Sequence, residues 1–132
     1  MYKVINIEDD EMTRNVELKN SKTGTIDKCF DDSALVSDNN FDFLKLGGEY
    51  NCKIKLFGNV VQDMQDKTVL CEVICKDELV GTKKMVKVLV ENDVYYLPVK
   101  KVKELGNIEK FYFRYTRKDL IEVNDVIHAD FL

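Results

Sequence analysis

A small, mostly-β chain that curls into a closed or partly open barrel is the fold this sequence predicts. Three features predict it. Polar and apolar residues alternate with period two in several segments, turn residues recur every ~8–12 positions, and no segment carries a long helical pattern. The alternation is clearest at Tyr50, Cys52, Ile54 and Leu56, which interleave with Asn51, Lys53 and Lys55. A strand with this pattern buries one face and wets the other.

The remaining elements follow in chain order. Tyr2 to Ile7 reads as a strand leading to an acidic turn at Glu8 to Glu11. Met12, Arg14, Val16 and Leu18 alternate with polar neighbours and form the return strand of a hairpin. Asn20 to Gly24 is a turn into a strand over Thr25 to Phe30, and Asp31 to Asn40 is a polar connection. Val69, Cys71, Val73 and Cys75 line one face of a strand whose other face holds Leu70, Glu72 and Ile74, so both faces are expected to be covered. Met85 to Val90 and Val94 to Val99 flank Glu91-Asn92-Asp93 as a hairpin. Phe111 to Thr116 is aromatic and β-prone. Short helices are expected at Val99 to Leu105, stopped by Gly106-Asn107, and at Arg117 to Ile121, capped by Thr116. Pro98, the only proline, falls near a strand end, where a missing N–H is tolerated.

The stretch Leu46 to Val61 places a glycine turn, Gly47-Gly48, before a long alternating strand with Gly58 inside it, where the strand can bend to join two sheets. It resembles the first strand of many OB (oligonucleotide/oligosaccharide-binding) domains over roughly residues 44–116. The resemblance implies an OB-like barrel over 44–132, including a C-terminal tail, preceded by an N-terminal β-hairpin extension over 1–43, all in a single domain. It also implies a ligand face on the second and third barrel strands, Thr68 to Lys76 and Met85 to Val90.

Composition bounds the function. A length of 132 residues fits one domain with a self-sufficient core. The net charge of −4 argues against a generic polyanion binder. The charge is uneven, with residues 1–42 at −5, 43–90 at +2 and 91–132 at −1. No apolar run has the ~20 residues a membrane helix needs, and the N-terminus lacks a signal-peptide core. A cytoplasmic location is therefore expected, with Cys29, Cys52, Cys71 and Cys75 as free thiols. Usage of Lys, Asn, Asp and Ile points to an AT-rich bacterial coding sequence.

Each chemical motif meets a plainer reading. Cys71 and Cys75 on a strand lie about 13 Å apart, too far to share a zinc ion. Asp38, Asn40, Asp42 and Glu49 match four positions of a calcium loop, but Phe43 stands where glycine is required and Lys45 is a cation near the ion's place. His128, the only histidine, reads as a packed or surface residue. Ser21, Ser33 and Ser37 lie in no nucleophile elbow. No enzyme activity, cofactor or metal is expected.

Residues 100–118 carry seven basic and two acidic groups, net +5, with aromatic residues around them. Basic and aromatic residues on strands are the ingredients of single-strand nucleic-acid binding. The surface expected for such a ligand comprises Tyr96, Lys100, Lys101, Tyr112, Arg114 and Arg117, whereas Phe111, Phe113 and Tyr115 share a core-type face. The leading expectation is a non-enzymatic protein-interaction module with an exposed apolar patch or strand-edge self-association. Single-stranded nucleic-acid binding is the first alternative. The second is an inhibitor or antitoxin that meets a basic partner through Glu8 to Glu11 and Asp31-Asp32.

Overall fold

The computed structural model describes all 132 residues. Ten strands run in chain order: β1 (Tyr2–Asp10), β2 (Thr13–Asn20), β3 (Ile26–Asp31), β4 (Glu49–Tyr50), β5 (Cys52–Val61), β6 (Thr68–Val80), β7 (Lys83–Val90), β8 (Asp93–Pro98), β9 (Lys110–Val123) and β10 (Val126–Ile127). Two helices of one turn each interrupt them, α1 (Ser33–Val36) and α2 (Val99–Val102). No helix is long and apolar enough to cross a membrane.

Strands β5 to β9 form a closed five-stranded barrel. β6, β7 and β8 are a meander, and β9 returns beside β6 in the manner of a Greek key. β5 fills the remaining gap, antiparallel to β9 and parallel to β8 through Lys55 and Tyr96. The first barrel strand thus neighbours β9 and β8, and does not pair with β6, the next strand in sequence.

The N-terminal segment is more than a hairpin. β1, β2 and β3 make an antiparallel sheet that joins the barrel when β3 pairs parallel to β9 at Cys29 and Phe30. β4 covers the start of β1. One core of 19 buried residues draws on both parts, with Val4, Val16, Leu18 and Cys29 packed in the same cluster as Ile54, Leu56, Val88 and Phe113.

Two buried carboxylates fasten the N-terminal sheet to the barrel. Asp27 of β3 lies 2.9 Å from the Tyr95 hydroxyl of β8 and 2.5 Å from the Lys118 ammonium of β9. Asp93, at the start of β8, accepts hydrogen bonds from the Thr23 and Thr25 hydroxyls at 2.6 and 2.7 Å. No buried side-chain nitrogen or oxygen lacks a partner. Burial and the Asp27 charge push the Tyr95 phenol far above its ordinary range, so it stays a donor.

Strand β9 carries two bulges that decide where its side chains go. Phe57 opposes Arg117 and Gly58 opposes Tyr115, which leaves Thr116 as an extra residue. Lys53 opposes Glu122 and Ile54 opposes Leu120, which leaves Ile121 extra. Leu120 therefore enters the main core, while Ile121 enters a second cluster outside the barrel with Val80, Met85, Tyr96 and Phe131. The C-terminal turn closes that cluster. The Phe131 carbonyl accepts from the Thr82 N–H at 2.7 Å, and a Cβ on Gly81 would stand 2.1 Å from the same oxygen.

The structure corrects four expectations. Arg117 to Ile121 is strand, not helix, because Arg117 to Leu120 pair with β5, Lys118 and Asp119 pair with β3, and Ile121 is the bulged residue. Glu8 to Asp10 belong to β1 and pair with β2, so the turn is only Glu11-Met12. The outer face of β6 is open rather than covered, with Leu70 and Ile74 exposed. The polar connection after β3 holds the single turn α1, supported by Asp31, which accepts from the Ser33 N–H and hydroxyl.

Two substitutions test this account. At Gly58 a Cβ would lie 1.9 Å from the Arg114 carbonyl oxygen, so Gly58→Ala is expected to cost at least about 1–3 kcal/mol, read as a lower urea midpoint. Lys118→Met strands the Asp27 charge in the core and is expected to cost about 3–5 kcal/mol by the same measurement.

Candidate functional site

The outward side chains of β5 are Lys53, Lys55, Phe57, Asn59 and Val61, since Ile54, Leu56 and Gly58 are buried. Each faces a partner on β9: Lys55 meets Asp119, Phe57 meets Arg117, Asn59 meets Arg114 and Val61 meets Tyr112. From Lys55 to Val61 this wall runs about 20 Å. α2 borders it, and the Lys101 ammonium donates to the Asn59 side-chain oxygen at 2.7 Å.

The wall is basic and aromatic. The Arg117 guanidinium lies between the Phe30 and Phe57 rings, 4.7 Å from each centroid. Asp119 holds it flat through contacts of 2.5 and 3.2 Å, and these hydrogen bonds keep its pKa above the ordinary value. Phe57 is nevertheless 47% exposed. Burial lowers the Lys55 pKa, although Asp119 at 3.9 Å opposes the shift. Lys100, Lys101 and Arg114 form no ion pair, so their charge is free to meet a ligand.

Five of the six residues singled out from the sequence fall on or beside this wall. Arg114 and Arg117 are exposed on it, Tyr112 is half-buried at its end, and Lys100 and Lys101 border it. Tyr96 is the exception. It is only 4% exposed, packed in the outer cluster beneath Lys53. Sequence reasoning missed Lys55, Phe57 and Asn59. Their signal was the polar phase of the alternation already read for β5, which places them on its wet face.

The other candidates resolve into structural roles. His128 is 4% exposed, and both ring nitrogens are occupied. Nδ1 accepts from the Asp130 N–H at 3.1 Å, and Nε2 lies 2.6 Å from an Asp32 oxygen. An imidazole so engaged has no nitrogen left to take a proton from a substrate. Asp31 is buried against Arg14 and Ser33, whereas Asp32 meets His128 and stays partly exposed, and Glu8 to Glu11 are exposed. Asn40 spends its side chain on the Ser37 carbonyl and the Asp42 N–H, and Glu49 stands in β4. No group of three or more His, Cys, Asp or Glu side chains is placed to hold a metal ion.

A second surface is apolar. A groove of about 390 Å³ between β6 and the β7–β8 turn is lined by Met64, Val69, Leu70, Leu89 and Val90, with Glu72, Glu91 and Lys110 at its rim. Met64 and Leu70 are exposed there.

The chain matches no protein-family profile, no curated protein sequence and no solved structure.

All four cysteines are unpaired. Cys29 and Cys71 are buried in the core, and burial pushes the Cys71 and Cys52 thiols up to about 12. Burial raises Cys29 as well. At pH 8 the native protein is expected to react with a thiol reagent at Cys75 first, and the other three only on unfolding, as read by peptide mass mapping.

Proposed function

We propose that the protein is a non-enzymatic binding module and that the β5–β9 wall is its ligand surface for a single-stranded nucleic acid. The observation that supports this most is the Phe30–Arg117–Phe57 stack flanked by the unpaired cations Lys100, Lys101 and Arg114. Bases stack on aromatic and guanidinium planes, and free cations track the phosphates. A five-stranded Greek-key barrel is the coarse architecture of an OB domain, although here β5 pairs with β9 and β8 and not with β6. The wall lies on the first and last barrel strands, however, rather than on the second and third. Free thiols fit a reducing, cytoplasmic setting.

A second reading has its own support. The apolar groove beside Met64 and Leu70 fits a protein partner, since exposed apolar patches commonly mark such contacts.

A fluorescence titration with a short oligothymidylate separates the two. Micromolar binding that weakens as salt rises is expected, with Arg114→Gln flattening the log–log salt slope by about 0.7. Phe57→Ala is expected to weaken binding by about 1–3 kcal/mol while leaving the fold intact. Absence of binding at low salt, or binding indifferent to both variants, would overturn the wall as a nucleic-acid surface.

A further inference from the structure

At the Lys55 end of the wall, sharing Lys55 and Lys100 with it, opens a groove of about 420 Å³ built from five separate parts of the chain. Lys55 comes from β5, Lys83 and Lys84 from the start of β7, and Lys100 from α2, while Pro98 and the Phe131 ring supply apolar walls. No carboxylate lines it, in a chain with 24 acidic residues. Lys83, Lys84 and Lys100 form no ion pair or side-chain hydrogen bond, and the Lys83 ammonium lies 5.7 Å above the Phe131 ring. The nearest compensation comes from Asp119 and Asp130, which act on Lys55 from outside the lining.

Four like charges around one concavity repel one another in the empty protein, and a cleft of a single sign concentrates counter-charge. The volume falls in the range of small-molecule sites. Lysines bind phosphate as point charges, and the apolar walls leave room for an uncharged body beside it. We propose that this groove is a binding site for a phosphate ester with an uncharged body beside the phosphate, the class to which nucleoside phosphates belong. The ester has two sources, a free nucleotide or the 5′-phosphate end of a strand. The assignment does not rest on the strand-binding reading, because a free nucleotide satisfies the same chemistry.

Calorimetry on the full chain tests it with four probes: adenosine triphosphate, adenosine, and oligothymidylate with and without a 5′-phosphate. Each is measured on the wild type and on the Lys83→Gln/Lys84→Gln double variant. Both lysines are exposed, so folding is expected to survive, and circular dichroism verifies this. Adenosine triphosphate is expected to bind at about millimolar or tighter, adenosine not to bind, and the double variant to lose about tenfold. Preference for the 5′-phosphorylated strand with the same loss assigns the strand end as the source, and triphosphate binding without that preference assigns the free nucleotide. Equal binding of phosphorylated and unphosphorylated strands, with no triphosphate binding, overturns the groove while leaving the wall intact. Phosphate-dependent binding unchanged in the double variant overturns it as well.

Discussion

Strand β9 is paired along both edges, and this double pairing holds the molecule together. One edge runs against β5 for nearly its whole length, while the other meets β6 first and β3 later. A backbone in this position has its donors and acceptors claimed by three strands from distant parts of the chain. The barrel closes and the N-terminal sheet attaches through the same residues. The Asp27–Lys118–Tyr95 contact lies where those two functions meet, and the buried Asp27 charge is compensated there by the Lys118 ammonium and the Tyr95 hydroxyl.

The candidate surface is a product of that pairing. Without the extra residue at Thr116, strict alternation would not place Arg117 opposite Phe57 while keeping Phe113 and Tyr115 toward the core. Gly58 completes the arrangement, because the backbone of β5 approaches Arg114 too closely for any side chain. The geometry that lets the barrel coil also sets the guanidinium between two rings. The adjoining lysine groove depends in turn on the bulge at Ile121, which anchors the outer cluster against which Phe131 packs.

Much of this was legible in the sequence. Alternation located the core phases of β2, β5, β6 and β9, and the chemistry of Glu91-Asn92 marked the β7–β8 hairpin, where Glu91 takes a positive φ. Gly106, at positive φ, ends the 3₁₀ turn Lys103–Leu105 that continues from α2, where the sequence marks the stop. The failures share a cause. Arg117 to Ile121 looked helical because two bulges break the period of two, and bulges leave no local mark in the sequence. Tyr96 looked like a surface ring because the outer cluster is assembled from five elements that no window spans. Lys83 and Lys84 carried no signal, since a pair of lysines beside a turn is ordinary until Lys55 and Lys100 arrive from elsewhere.

The attachment of β3 to β9 also bears on how the chain reaches its native state. Cys29 pairs with Lys118 across roughly ninety intervening residues, and a contact of that span closes a very large loop before any enthalpy is returned. Chains dominated by such non-local pairings acquire their structure in milliseconds to seconds rather than microseconds. During that interval β3 offers an unclaimed edge, and Phe30 has no guanidinium over its ring. The docking of β9 is therefore expected among the slow steps of folding, and it covers the β3 edge at Cys29 and Phe30.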